Sequence, residues 1–378
     1  MAFNLIRNSR VFYTSNVDTV TGAVKSTGFT TANTREIQVL EGFSFSQNTT
    51  SETITLNEAG ATPVRGQRSF NTALDPVDFS FTTYMRPADT GTNISCEEAV
   101  LWNAMFSAKE IGDAAAAWTD GSTKADCVVT NSDKHQLLPF GMIIVVDATT
   151  FVIDNCVLNT ATIDFGLDAI ASVQWAGQGG VLRQITNPTI GSGALTGSLT
   201  GNFLVKNTTA PYIANKLSVV TLDEGIAEGG TSYTVPITGG TLTISNNVTY
   251  LTPANLATVN KPVTYFTSTR SITGSLNAYL RTGTGSSPLF TADLMSSMLT
   301  NSATAISPAF FMKISVGGTG STKVDFTMPG VVLTIPTVNA EQVVSTTINF
   351  TAQGTASGAF DIGVANELAI AYTTPNAA

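Results

Sequence analysis

The feature that most constrains this chain is a predicted internal duplication. Four segments of the first half recur in the second half, in the same order and with similar apolar patterns. The longest pair, 151–179 and 326–354, aligns without a gap, so that Phe151 matches Phe326 and Gly179 matches Gly354. The shorter pairs are SFTTYMR (80–86) with SLNAYLR (275–281), LWNAMF (101–106) with LMSSML (294–299), and GFSFSQN (42–48) with TLTISNN (241–247). Four colinear matches predict two copies of one domain, which favours self-assembly over catalysis.

The matches divide the 378 residues into two domains and their connections, which is a usual domain count for this length. The first domain is expected to contain an extra segment. A residue of the first copy and its match in the second are separated by fewer positions after this segment than before it. The predicted divisions are an N-terminal arm (1–34), a first domain (35–179) with its extra segment at about 109–147, a linker (180–211), a second domain (212–354) and a C-terminal tail (355–378) with one further strand at 368–372.

Alternating apolar and polar residues predict that both domains are mostly β. Positions 77–86 are the clearest strand, because apolar residues from Val77 to Met85 alternate with polar ones. Further strands are predicted within 35–47 and at 140–146, with a closing hairpin formed by 151–158 and 168–178. The second copy repeats the alternation of that hairpin at 346–350, as a shared fold requires.

One short helix is predicted in each domain. In NISCEEAVLWNAMFSA (93–108), Ser95 is the expected N-cap and Glu98 follows at the spacing of a capping box. The second copy has TADLMSSMLT (291–300), with Thr291 in the capping position.

Charge is scarce in this chain. Only 12% of residues are charged, against roughly 25% in typical domains. Such a surface suits either a protein that buries much of it against copies of itself or a secreted β protein coated with Thr, Ser and Asn. The net charge of −9, without a basic stripe or tail, argues against tight binding of nucleic acid. It suits a protein past which DNA moves without sticking.

The sequence offers no constellation of catalytic or metal-binding residues. His135 is the single histidine, and no second histidine or thiolate stands at ligand spacing. The carboxylate pairs, such as Glu97 and Glu98, are adjacent in sequence and therefore point in different directions. We expect no enzymatic activity, no metal and no cofactor.

No secretory signal and no membrane span are expected. The N-terminal residues lack an apolar core segment, and the longest apolar stretch, at 140–146, has the length of a strand. Three cysteines without CxxC spacing, Cys96, Cys127 and Cys156, are expected to be reduced, partly buried thiols.

The order of strand, long loop, strand, helix and closing hairpin resembles the tail tube proteins of long-tailed bacteriophages. The residues that carry the resemblance are TREIQVLEGFSFSQNTTSETITLNE (34–58), FNTALDPVDFSFTTYMRP (70–87), EEAVLWNAMF (97–106) and the hairpin ends WAGQG (175–179) and FTAQG (350–354). The resemblance implies two tandem β-sandwich or half-barrel domains, each with one short flanking helix. It also implies a virion protein, assembled in the host cytoplasm, whose rings stack into a hollow tube that delivers DNA.

A doubled domain changes the expected ring. If one chain fills two of six positions, a ring contains three chains with pseudo-sixfold symmetry. The partners implied are further copies of the chain, the tape-measure protein and DNA passing through the lumen without specific binding, together with a surrounding sheath protein where the tail is contractile. The arm at 1–34 and the loop at 48–68 are expected to contact neighbouring rings.

The polar faces of the strands are the expected lumen lining. The candidates are mostly neutral, as a channel that does not retain DNA requires, and the alternative is that they are ordinary solvent-facing strand residues. They are Asp78, Ser80, Thr82, Ser172, Gln174, Thr273, Ser275, Asn277, Thr347 and Asn349.

Two other classes of protein stay open from the residues. A decoration protein, an adhesin or a tail-tip subunit would also be β-rich, although an adhesin is expected to show aromatic sugar platforms or calcium loops. A β-rich glycan hydrolase would need two carboxylates facing each other across a cleft.

Overall fold

A computed structural model of the chain describes a mostly β protein, in agreement with the predicted β content. His135 and most of the predicted loop at 48–68 lie outside the described residues. The described residues are 9–25, 28–30, 33–54, 68–129, 136–146, 149–185, 210–282, 289–304, 309–318, 320, 322–335, 337–339, 344–355 and 366–375.

Among its described residues, the first half carries helix α1 (Ala99–Phe106). Its strands are β1 (Ser9–Thr14), β2 (Thr34–Ile37), β3 (Ser44–Ser46), β4 (Thr49–Ile54), β5 (Arg68–Leu74), β6 (Val77–Tyr84), β7 (Pro87–Asp89), β8 (Ile94–Cys96), β9 (Trp118–Thr119), β10 (Ala125–Val128), β11 (Phe140–Val146), β12 (Thr149–Asp164), β13 (Ser172–Gly179) and β14 (Val181–Ile185).

The second half begins with a 3₁₀ turn at Asn215–Leu217 and carries helix α2 (Thr291–Thr304). Its strands are β15 (Val219–Glu224), β16 (Ser232–Thr234), β17 (Ile237–Ser245), β18 (Val248–Leu251), β19 (Thr264–Thr267), β20 (Ser271–Tyr279), β21 (Leu289–Phe290), β22 (Phe310–Val316), β23 (Lys323–Leu333), β24 (Thr337–Asn339), β25 (Ser345–Gln353) and β26 (Ala369–Thr373).

The long strand β12 belongs to two sheets of the first half. Its N-terminal part lies between β11 and β14, in a sheet that continues through β1 to β2. Its C-terminal part pairs with β13, which pairs in turn with β6, and β6 pairs with β3. Side chains from the two sheets meet in the core, where the rings of Phe79 and Phe140 lie edge to face at 6.3 Å.

The second half has the same succession of neighbours. One sheet runs from β16 through β15, β22 and β23 to β26, and all of these pairs are antiparallel. The other runs from β17 through β20 to β25, which pairs with both β23 and β24.

In the described part of the chain, two antiparallel strand ladders connect the halves. β12 pairs with β17 from Thr160 to Asp164, which joins the sheets into one surface. On the other side of the molecule, the C-terminal strand β26 lies between β23 and β10. Strand β10, which lies within the predicted extra segment of the first domain, therefore connects the two halves through β26.

Several segments expected to lie outside the domains are parts of the sheets. Val11, Phe12 and Tyr13, assigned to the N-terminal arm, are buried in β1. Strand β14 lies within the predicted linker, and β26 within the predicted tail. Strand β11, at the end of the predicted extra segment, is a central sheet strand. The apolar runs of β1 and β26 pair with strands distant in sequence, β1 with β11 and β26 with β10.

Helix α1 begins later than the capping pattern indicates. Ser95 lies in strand β8, and the cap position is Glu98, whose side chain caps no backbone N–H. Every residue of α1 is buried, and Trp102 packs edge to face on Trp175 at 4.7 Å. The helix of the second half begins at Thr291 itself, so the predicted capping residue is instead the first helical residue.

The buried carboxyl group of Glu98 connects α1 to the C-terminal strand. Trp102 Nε1 donates a hydrogen bond to the hydroxyl oxygen of Tyr372 at 2.8 Å, and that hydroxyl donates to Glu98 Oε1 at 2.7 Å. All three side chains are inaccessible to solvent. Removal from water disfavours the carboxylate and raises the pKa of Glu98 to about 8, although the hydrogen bond from Tyr372 opposes this.

Glu98 is therefore expected to make stability depend on pH. Because its folded pKa is raised, its contribution is complete below about pH 4.5 and is lost as the pH rises through about 8. In Glu98→Gln this loss should disappear. The wild-type free energy of unfolding should then fall relative to that of Glu98→Gln as the pH rises, by up to about 1.4 kcal/mol per pH unit.

Urea unfolding of both proteins between pH 5 and 9 measures the difference. Glu52→Gln, in the fully exposed strand β4, is the control. Parallel pH profiles for wild type and Glu98→Gln would contradict the assignment.

Candidate functional site

The junction between β12 and β17 creates one continuous antiparallel surface of eight strands. The strand order is β3, β6, β13, β12, β17, β20, β25 and β24, four strands from each half of the chain. All ten residues predicted from sequence lie on it, at accessible positions that alternate with buried ones. We call their side of this surface the polar sheet face.

The register brings the predicted residues into direct cross-strand pairs. Thr82 lies opposite Gln174 in the first half, and Ser275 opposite Asn349 in the second. Within the ladders β6–β13 and β20–β25, the remaining pairs that include predicted residues are Asp78 with Gln178, Ser80 with Ala176, Ser172 with Tyr84, Thr273 with Thr351, and Asn277 with Thr347.

Short polar side chains on this face bind one another across the strands. Gln178 Nε2 donates to Asp78 Oδ1 at 3.0 Å, and Thr347 Oγ1 donates to Asn277 Oδ1 at 2.9 Å. Two hydroxyl pairs add to the pattern, Ser44 with Ser80 at 2.8 Å and Thr241 with Ser275 at 3.2 Å. Hydrogen bonds between neighbours leave fewer groups free to bind a passing molecule.

Sequence reasoning missed several members of this face. They lie on strands whose alternation is as regular as in β6. However, β12 was predicted only as far as Leu158. The sequences of β3 and β17 were matched to each other, but no residue of either strand was assigned to a face of the sheet. The additional accessible residues are Ser44, Ser46, Thr160, Thr162, Asp164, Gln178, Thr241, Thr243, Ser245 and Thr351.

The charge on this face is small and negative. None of the eight strands contains Lys or Arg. Asp78 and Asp164 are the carboxylates on the described part of the face, and both are exposed. Asp154, also in β12, belongs to the other sheet and forms an ion pair with Arg183, with 2.5 Å between Asp154 Oδ2 and Arg183 Nε. A DNA backbone would therefore meet no cation on the strands of this face.

Buried aromatic residues pack beneath this face. Trp175 lies opposite Phe81 on one side and Ala161 on the other. Its indole Nε1 donates to Thr83 Oγ1 at 2.9 Å, so the ring is fixed without an unpaired donor.

A glycine and a phenylalanine lie opposite each other in both halves. Gly177 of β13 faces Phe79 of β6, whereas Gly274 of β20 faces Phe350 of β25. A Cβ atom at position 177 would lie 2.5 Å from Phe79 Cζ and 2.5 Å from the carbonyl oxygen of Val157. Each glycine therefore leaves the space that the opposite ring occupies.

Gly177→Ala is expected to lower the free energy of unfolding by about 1–3 kcal/mol, because the ring and the backbone must both move. The control is Gly239→Ala, where the new Cβ would have only the carbonyl oxygen of Phe165 near it, at 3.8 Å. Urea unfolding of both variants measures the difference, and an equal effect at the two positions would show that this close contact is unimportant.

No group of three or more potential metal ligands occurs among the described residues. Cys96, Cys127 and Cys156 are free and buried, as expected, and burial raises the pKa of each thiol. No helix in the described part of the chain is long and apolar enough to cross a membrane. The chain matches no established protein-family profile.

Similarity to a known protein decides the family. Over 368 aligned residues, the chain is 31% identical to tail tube protein pb6 of Escherichia phage T5. The alignment covers 93% of this chain and 73% of the relative. The chain belongs to the phage tail tube proteins. The resemblance predicted from the sequence is therefore confirmed.

Membership of this family gives the polar sheet face its context. A tail tube protein is a structural component of the virion, so the predicted structural role in the tail tube and the predicted virion location are confirmed as well. The relative also favours a structural over an enzymatic role. In a tail tube protein, a large polar surface without cations is a candidate for the wall along which DNA passes.

Proposed function

We propose that the chain assembles into rings of three, that the rings stack into the hollow tail tube, and that the polar sheet face lines the lumen. One observation carries this proposal: a single eight-stranded surface, built equally from both halves, has an accessible face of short polar side chains and no Lys or Arg. Closing such a surface through neighbouring chains would remove its free edges. DNA would then move along a wall to which its phosphates do not bind.

The order of strand pairing supports two equivalent domains per chain. In the first half β1 lies between β2 and β11, and in the second half β15 lies between β16 and β22. The pairs β11–β12, β13–β6 and β6–β3 correspond in the same way to β22–β23, β25–β20 and β20–β17. By this criterion β15 corresponds to β1, which the sequence analysis had assigned to the N-terminal arm.

A shared irregularity strengthens the equivalence. The ladder between β11 and β12 is interrupted between Phe140 and Met142, and the ladder between β22 and β23 between Phe310 and Met312. Their partners also correspond, because the gapless match of β12 with β23 aligns Cys156 with Val331 and Ile153 with Met328. A bulge at the same place is a designed feature of a fold rather than a coincidence of β propensity.

The pairing also refines the sequence alignment. Trp175 lies opposite Phe81, and Ile348 lies opposite Leu276, the residue that matches Phe81 in the second copy. Trp175 therefore corresponds to Ile348, whereas the gapless match aligned it with Phe350. Because Ile348 and Phe350 are alternate residues of one strand, the buried face is unchanged. The pair Gly177–Phe79 then occupies the position of the pair Phe350–Gly274. The glycine and the phenylalanine have exchanged strands between the two halves.

The hairpins at one end of the sheet are proposed contacts between stacked rings. The exposed hairpin β4–β5 follows β3, and the hairpin β18–β19 follows β17 in the second half. The first hairpin contacts the second half through Leu74, whose N–H donates to the carbonyl oxygen of Asn260 at 2.8 Å. A tape-measure protein inside the lumen and, in a contractile tail, a sheath outside it are the further proposed partners.

Ring formation is tested by electron microscopy of the purified protein. End-on averages are expected to show hollow rings or stacked tubes, and mass photometry of the shortest closed species should give three chains per ring. A closed oligomer without a central channel would contradict the tube, and six chains per ring would contradict the filling of two positions by one chain.

The lumen assignment is tested by placing cations on the polar sheet face. Asp78→Lys and Gln174→Lys should leave assembly unchanged and make the tubes retain DNA at low salt, with a salt dependence that steepens by about one unit for each phosphate contacted. DNA binding by assembled tubes and DNA delivery by particles measure the effect. Asp113→Lys, at an exposed turn after α1, is the charge-matched control. DNA retention equal to that of the control would place the two residues outside the lumen.

A further inference from the structure

The eight-stranded surface ends at two strand edges. β3 pairs only with β6, and β24 only with β25, in the part of the chain that the structure describes. The outer edges of both strands therefore carry backbone donors and acceptors that a further strand can pair with. The rest of this inference depends on the proposed function, since it concerns how one copy of the chain meets the next.

The junction inside the chain shows how two such edges fit together. β12 and β17 are antiparallel, and Ile163 lies opposite Leu242 near the end of their ladder. The pairs on either side are polar: Thr162 lies opposite Thr243, and Asp164 opposite Thr241. Ile163 and Leu242 are both fully buried.

The two free edges correspond to the two strands of this junction. Strands β23 and β24 both pair with β25, and the register shifts by one residue between them. The ladder between β12 and β13 contains the same shift, so β24 corresponds to the last residues of β12. Val338 therefore corresponds to Ile163, in the same gapless numbering that matches β12 with β23. On the other edge, Phe45 lies opposite Phe79 as Leu242 lies opposite Gly274. By strand pairing Phe45 therefore corresponds to Leu242, whereas the sequence match placed it with Ile244, two residues further along the same face.

Residue types agree with this correspondence. β24 reads Thr-Val-Asn where the equivalent part of β12 reads Thr-Ile-Asp, and β3 reads Ser-Phe-Ser where β17 reads Thr-Leu-Thr. Each free edge therefore has one apolar residue between two short polar ones, as in the junction that the chain already makes. No like charges would oppose each other in this register.

Side chains that would face a second copy are less buried than their counterparts at the junction within the chain. Leu242 is fully buried, whereas Phe45 is only partly buried and contacts Phe43 and Phe151. The helices show the same asymmetry. Phe106 of α1 is 3% exposed and lies under the guanidinium of Arg270 from the second half, but its counterpart Leu299 in α2 is 47% exposed.

We propose that β24 of one copy pairs antiparallel with β3 of a second copy, and that the internal junction is thereby repeated between chains. The register places Thr337 opposite Ser46, Val338 opposite Phe45 and Asn339 opposite Ser44. The exposed side of α2 then lies toward the first half of the second copy. In this arrangement the polar sheet face continues from chain to chain without a free edge.

Cysteine cross-linking in the assembled full-length protein tests this register. Rings or tubes of the double variant Ser46→Cys, Thr337→Cys are oxidised and run on a non-reducing gel. Opposed residues in an antiparallel pair have Cβ atoms close enough for a disulfide, so most chains are expected in covalently linked species of two and three chains. The native cysteines add little background because they are buried and their thiol pKa values are raised.

Two matched variants control for geometry. Thr162→Cys with Thr243→Cys is the same pair inside one chain and should form an intramolecular disulfide, which changes mobility without linking chains. Ser44→Cys with Thr337→Cys is displaced along the strand to the diagonal position, and should cross-link at least about tenfold less because the diagonal separation is roughly 7–8 Å. Asn339→Cys with Ser44→Cys repeats the predicted register at a second position.

The possible outcomes distinguish a failure of this register from a failure of the proposed function on which it rests. Linked chains in both predicted pairs, with little linkage in the displaced pair, support the junction. If hollow rings form and the internal control closes while neither predicted pair links chains, the junction is wrong but the tube stands. If the chain forms no ring or tube at any concentration, both the junction and the proposed assembly are overturned.

Discussion

The structure depends on the antiparallel pairing of β12 with β17. β12 is long enough to serve both sheets of the first half, and its C-terminal end also pairs with β17 of the second half. Because side chains alternate along a strand, the register of this one ladder decides which residues of both halves share a face. With β12 held in place by β13, a shift of one residue would turn Leu242 of β17 toward water and bury Thr243. The continuous polar face is a consequence of this single register.

A second connection holds the halves together from the other side. β26 fills the gap between β10 and β23, and Tyr372 on that strand binds both Trp102 and Glu98 of the helix region. Helix α1 is buried as a result, while α2 keeps an exposed side. The halves thus have similar strand orders in unequal surroundings, because the β12 edge of the first half pairs with β17 in the same chain, whereas the edge at β24 of the second half has no partner among the described residues. In a ring, the first half of each chain would provide the strand partner that the second half of the neighbouring chain lacks.

The sequence predicted the elements whose side chains repeat with a simple period. Strand β6 and the β12–β13 hairpin lie where alternation indicated, strand β11 coincides with the apolar stretch at 140–146, and the three cysteines are free and buried. The cap of α1 was wrong, because Ser95 is held in strand β8 by pairing with β7 and has no role in the helix. The burial of Val11, Phe12 and Tyr13 was also missed, because three apolar residues within a polar segment have no period to reveal that β2 and β11 enclose them.

By itself, the sequence determined the β-rich class, the alternation that gives each strand one polar side, the scarcity of charge and the family to which the chain belongs. These are properties of composition and of local period, and they can be read along the chain. Only the tertiary structure decided which strands are neighbours, that all ten predicted residues share one face, and that two edges of the described sheet are left without a partner. Those facts depend on pairing between residues far apart in sequence, since a period of two fixes a side chain's face within its strand but not the strand beside it.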